Sequence, residues 1–123
     1  MNGITGQARA GASAGAPATV VRPARPDEAE AVAALYRSVW HETQAPLQSP
    51  KVAAFRGPAF FLARIRNLPQ PPLVAEGGGA ILGFAGWTGE VINQLFVARD
   101  GRSRGIGADL LAGAEAAVAA AGH

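Results

Sequence analysis

The chain has no cysteine, and among its 123 residues only one lysine, one tyrosine and one methionine. Without cysteine there is no disulfide framework, no thiol nucleophile and no Cys-ligated metal. His41 and His123 are the only imidazoles, too few for a three-histidine zinc site. No apolar run approaches the ~20 residues needed to span a bilayer, and the N-terminus lacks a charged segment followed by an apolar one. These absences set the expectation of a cytoplasmic domain with no metal and no membrane partner. Charge is sparse as well: eleven basic residues stand against nine acidic, a net +2. Nucleic-acid binding needs Lys and Arg clustered along one surface with aromatic residues between them. The one tight cluster, Arg99, Arg102 and Arg104, is interrupted by Asp100 and suits a single polyphosphate, so no nucleic-acid partner is expected.

What is present fits one globular domain. The hydrophobic fraction is 49%, although alanine and glycine inflate it. Residues 1–18 hold alanine, glycine and small polar residues without periodicity, too little apolar surface to offset their ordering entropy. They read as a disordered tail ahead of a domain over 19–123.

The most informative stretch runs from Val91 to Val118. VINQLFV is apolar and rich in β-branched and aromatic residues, ARDGRSR is charged and turn-forming, and GIGADLLAGAEAAV resumes apolar positions at helical spacing. That is strand, loop, helix. The first amides of a helix have no intrahelical partner and lie at the positive end of its dipole, where an anion binds. Gly105 and Gly107 let a bulky phosphate approach that backbone. Arg102 and Arg104 add guanidinium forks that match phosphate oxygens. A pyrophosphate-sized anion is the expected ligand.

The spacing tests specific phosphate loops. A dinucleotide fingerprint needs G-x-G-x-x-G/A directly after the strand, but Leu110 stands at the third glycine position and seven residues separate Val97 from Gly105. A P-loop needs a Gly-Lys pair, and the only lysine is the distant Lys51. What fits is R-x-x-G-x-G, read as Arg102-Ser103-Arg104-Gly105-Ile106-Gly107 between Leu95-Phe96-Val97 and Asp109-Leu110-Leu111. This resembles the acetyl-CoA signature of the GCN5-related N-acetyltransferase (GNAT) superfamily, where such a loop joins the fourth strand to the third helix.

The rest of the chain divides readily. Thr19 to Arg22 is a β-branched strand ending at Pro23, and Pro26 with Asp27-Glu28 signals a helix start. Ala29, Val32, Ala33, Leu35, Tyr36, Val39 and Trp40 give that helix one apolar stripe. Its end carries His41 and Glu42, read as surface residues rather than substrate contacts. Between Lys51 and Asn67, Val52, Phe55, Phe60, Phe61, Leu62 and Ile65 supply core positions, with Gly57-Pro58 placing a turn before a helix to about Asn67. Leu73–Glu76 and Ala80–Trp87, split by three glycines, read as an antiparallel hairpin. The third helix should bury Ile106, Leu110, Leu111, Ala114 and Val118.

The opening VVRPARPDEAEAVAALY and the Gly83-Phe84-Ala85 of the third strand are also similar to the family. The resemblance implies an α/β (α+β) fold: a mixed, largely antiparallel sheet flanked by helices, ordered β1-α1-α2-β2-β3-β4-α3 and ending before a fifth strand. It implies an acetyl-CoA-dependent transfer of acetyl to a primary amine on a small molecule or peptide. Backbone groups of Leu95, Phe96 and Val97 would pair with the pantetheine arm. The loop Arg102, Ser103, Arg104, Gly105, Ile106, Gly107 and Ala108 would seat the pyrophosphate. The family often draws its base from the fourth strand, where Glu90 is the acid at hand, although strict alternation turns it away from Val91, Asn93, Leu95 and Val97. The usual tyrosine acid lies beyond the last residue, and Tyr36 does not match it. A strand four without a fifth would present an open apolar edge, leaving a truncated product, a fragment, or a homo-oligomer that completes the edge. The alternative function is a catalytically inactive acyl-CoA-binding or interaction domain.

Overall fold

The computed structural model describes residues 19–47, 49–51, 56–102 and 104–122, with residues 45 and 100 described through their backbone only. The expected tail, Val52, Phe55 and Ser103 lie outside these. The chain runs from β1 (Thr19–Pro23) through a 3-10 turn (Pro26–Glu28) into α1 (Ala29–Thr43). After α2 (Pro58–Arg66) come β2 (Leu73–Gly77), β3 (Ala80–Thr88) and β4 (Val91–Val97). A 3-10 turn (Arg99–Gly101) leads into α3 (Ile106–Ala120). The described strands form one antiparallel sheet in the order β1-β2-β3-β4, so β1 and β4 are its edges. This is the expected element order.

Pro23, which cannot donate to a ladder, closes an edge strand, the position where its missing N–H costs least. Two-residue turns close both hairpins: Gly78-Gly79, both at positive φ, and Gly89-Glu90.

The sheet is covered on both faces. Against one face α1 and α2 pack Val32, Ala33, Tyr36, Trp40, Phe61 and Ile65 onto Val74 and Phe84. Rings dominate: Tyr36 lies 4.7 Å from Phe61 and 4.7 Å from Phe96 of β4. Against the other face α3 packs Ile106, Leu110 and Ala114 onto Ala75, Leu82, Ala85 and Trp87. The α1 stripe is buried as its spacing requires. In α3 the outcome differs at Leu111, which is 38% exposed. A turn of 3.6 residues carries it off the line of Ile106, Leu110 and Ala114.

A charged clamp fixes the first crossing from sheet to helix. Arg22 on β1 makes a fork onto both carboxylate oxygens of Glu28 at 2.8 Å, and its Nε reaches Glu76 on β2 at 3.0 Å. Glu28 also accepts from the Arg25 amide at 2.8 Å, satisfying a donor at the helix start. These contacts, the Arg22 bond first and the Arg25 amide next, hold the Glu28 carboxyl down at about 2, against an ordinary value of 4.5. An acid depressed in the folded state adds stability above its unfolded pKa and loses it as pH falls toward its folded one. Stability should therefore decline as pH drops from about 5 to about 2. In Glu28→Gln that decline should flatten, as read by denaturant midpoints at stepped pH; an acid limb as steep as in the parent would refute the clamp's role.

Candidate functional site

The site is built where β4 runs out of the sheet and the chain turns into α3. β4 pairs with β3 on one side only. The bond from the Ala98 amide to the Leu82 carbonyl, at 2.7 Å, sets which groups face inward. Antiparallel pairs alternate between bonded and non-bonded. With Phe84 opposite Phe96 and Ala85 opposite Leu95, the amide and carbonyl of Phe96 are committed to β3. Those of Leu95 and Val97 point to the open edge. The Val97 carbonyl there accepts from Arg102 Nε at 3.1 Å. The Leu95 side chain is itself 41% exposed.

Between Gly86/Gln94 and Trp87/Ile92 the register slips, making Asn93 the extra residue of a β-bulge. The bulge reverses the strand's faces. Phe96 packs toward α1 and α2, whereas Ile92 packs with the α3 layer despite its even spacing from it. Glu90 precedes all of this: it is exposed in the Gly89-Glu90 turn, not on the strand, so alternation does not set its direction.

The loop beyond β4 is wound tightly on itself. The amides of Gly101, Arg102 and Arg104 bond to the carbonyls of Ala98, Arg99 and Gly101. Gly105 then takes φ 74°, a left-handed conformation that a side chain would strain, and caps α3. Its carbonyl accepts from the Asp109 amide at 3.1 Å. No described residue accepts from the amides of Ile106 and Ala108, which open the helix. A Cβ on Gly105 would meet nothing within 4 Å, and one on Gly107 only Val97 Cγ2 at 3.7 Å. Among the described residues, packing leaves the space over these two glycines open.

The arginines are not all directed at that space. Glu42, at the end of α1, pairs with both Arg99 and Arg102. Those two hydrogen bonds, Arg99 first, hold its carboxyl below the usual range. Arg102, expected to reach a phosphate, thus lies against Glu42 and the Val97 carbonyl. Arg104 is exposed beside the cradle. His41 donates from Nε2 to the Arg56 carbonyl at 2.8 Å and so ties α1 to the segment before α2.

No family model and no curated protein matches the sequence. Solved structures do. The GCN5-related N-acetyltransferase from Rhodopseudomonas palustris aligns with TM-score 0.66 and 29% identity, over 87% of this chain and 68% of that one. The PaiA N-acetyltransferase from Thermoplasma acidophilum, solved with coenzyme A, aligns with TM-score 0.66 and 19% identity, over 85% and 74%. A GNAT-family acetyltransferase from Brucella melitensis, solved with acetyl-CoA, gives 0.60 and 20%, over 85% and 71%.

The chain has the GNAT fold. In this GNAT sheet the glycine loop and the open edge of β4 meet at one corner, where Gly107 lies against Val97. Two features were not visible in the sequence. Gln94 is 5% exposed although strand alternation around a polar residue gives no sign of burial, and Glu42 lies far from its arginines along the chain.

The two small residues of the cradle's approach can be separated by substitution. A Cβ on Gly101 would meet Ile106 Cδ1 at 2.8 Å and Val97 Cγ1 at 3.2 Å, so Gly101→Ala should cost about 1–3 kcal/mol of stability through overpacking. Gly107→Ala should leave the fold intact, even adding roughly 0.5–1 kcal/mol as glycine leaves a helix. It should nevertheless weaken coenzyme A binding on the order of tenfold in calorimetry, about 1.4 kcal/mol. Unchanged affinity in a well-folded Gly107→Ala would take the diphosphate off this helix end.

Proposed function

We propose that this chain is an acetyl-CoA-dependent N-acetyltransferase acting on a primary amine. The observation that carries the reading is the continuity between the open edge of β4 and the uncovered amides at the head of α3. An extended arm laid along the strand ends at an anion seat. The fold it shares with N-acetyltransferases solved with coenzyme A and acetyl-CoA supports the same assignment.

Acetyl-CoA supplies an acyl group already activated as a thioester. The chain's share is therefore binding, alignment and handling of a proton. The Leu95 amide and carbonyl and the Val97 amide bond the pantetheine arm, while Phe96 anchors the strand beneath it. The amides from Gly105 through Ile106 and Gly107 to Ala108 take the diphosphate, with Arg104 and, once it leaves Glu42, Arg102 as counter-charges. Ser103 belongs to the same loop. Glu90, the acid at the head of β4, takes the proton from the acceptor's ammonium through water.

Isothermal titration of the whole chain with coenzyme A, followed by thiol release from acetyl-CoA over a panel of amines, tests this reading. Binding with turnover supports it; binding without turnover selects a non-catalytic acyl-CoA-binding domain; no binding rejects both. In an active enzyme Glu90→Gln should lower kcat roughly a hundredfold, the smaller end of what a positioned base contributes, and leave coenzyme A affinity unchanged. Full turnover in Glu90→Gln would hand the proton to bulk water instead.

A further inference from the structure

On the α2 side of the sheet, opposite the layer that carries α3, a cavity of about 240 Å³ is lined by Arg64, Asn67, Leu68, Thr88, Asn93 and Gln94. Its floor is unusual. Gln94 is 5% exposed, and its Oε1 has no hydrogen-bond partner among the described residues. Burying an amide oxygen unpaired costs about 1–3 kcal/mol, so such an atom in a native fold calls for an explanation. The backbone makes room for it: a Cβ on Gly86 would lie 2.3 Å from that oxygen. The terminal torsion of glutamine is broad and roughly two-fold, so a half-turn exchanges the amide's oxygen and nitrogen and directs the oxygen away from Gly86.

Arg64 stands at the rim. Its Nε donates to the buried Tyr36 hydroxyl at 3.0 Å, which fixes the plane of the guanidinium. No carboxylate among the described residues pairs with it. A held, acid-free guanidinium is suited to a two-point grip on a carboxylate. An unpaired carbonyl oxygen is suited to an N–H. The cavity is below the ~300–1,000 Å³ of pockets that take drug-sized ligands, so its occupant is small. The extra residue of the bulge, Asn93, puts this cavity on the strand along which the pantetheine arm is assigned, two residues from the open amide of Leu95.

We propose that this cavity seats the acceptor, and that the acceptor is a small amino acid: its amine bonds Gln94 Oε1 and its carboxylate bonds Arg64. The assignment of an acceptor rests on the acetyltransferase reading; the recognition of an amino carboxylate does not. Asn67 and Thr88 then meet the substituent.

The test titrates the whole chain, with and without coenzyme A, against natural L-amino acids and against the amines left when their carboxylates are removed. Calorimetry or ligand-observed NMR reads binding without any need for turnover. At least one amino acid should bind, with its decarboxylated counterpart weaker by about tenfold or more. Arg64→Gln should erase that difference and Arg64→Lys should restore part of it, with unfolding curves confirming that both variants keep the fold. Gln94→Leu, near in volume, should weaken the amino acid and the amine alike. Equal binding of amine and amino acid, or binding of no amino acid at millimolar concentration, overturns the proposal. Coenzyme A affinity on the same samples reports separately on the acetyltransferase reading, so the two can fail independently.

Discussion

An edge strand that must leave its outer side open needs to be held by everything else it touches. β4 meets that requirement through its alternating side chains. Phe96 packs against both Tyr36 and Phe84, with centroids at 4.7 and 5.7 Å, while Val97 and Ile92 pack into the layer beneath α3. Aromatic pairs of this kind contribute about 0.5–1.5 kcal/mol beyond the area they bury. The strand is thus secured from above, below and one side. Its remaining amides and carbonyls stay directed outward while the rest of the strand is held in place.

The same packing links the two ends of the site. Tyr36 touches Phe96 of β4 through its ring and Arg64 of α2 through its hydroxyl. One buried side chain therefore sets both the height of the edge strand β4 and the direction of the guanidinium in the neighbouring cavity. On the other side Glu42 performs a comparable role, joining the last turn of α1 to the loop that precedes α3. Both the β4 edge and the loop before α3 are thus registered against helix α1.

The parts of this arrangement that depend on short-range pattern were legible in the chain. The apolar stripe of α1, the glycine-split hairpin and the strand-loop-helix of Val91 to Val118 follow from periodicity and from residues that demand particular dihedrals. Gly105 at φ 74° is the clearest case, since few other residues would accept that turn. What depends on long-range register was not legible. The bulge at Asn93 adds one residue to a strand whose spelling looks regular, and with it Ile92 takes the face opposite to the one that alternation from Phe96 would assign. Leu111 looked like core by composition but falls off the line of Ile106, Leu110 and Ala114. The pairing of Glu42 with Arg102 spans 60 residues, and no local signal announces it. Only tertiary packing brings these together.

The Glu42 pairing also shapes how an anion can enter. Three arginines, Arg99, Arg102 and Arg104, surround the loop, and Glu42 neutralises part of their charge. Because Arg99 and Arg102 hold its carboxyl below the ordinary range, Glu42 stays ionised throughout the neutral region and is not displaced by a modest change of pH. A diphosphate must therefore compete with a carboxylate already in place. The carboxylate pairs with the guanidinium groups of Arg99 and Arg102, whereas the amides of Ile106 and Ala108 have no acceptor among the described residues. Discrimination follows from that asymmetry. A small anion that meets only the arginines replaces one ion pair with another and gains little, whereas a ligand long enough to reach the helix amides and the strand edge together gains contacts that no side chain of the protein supplies.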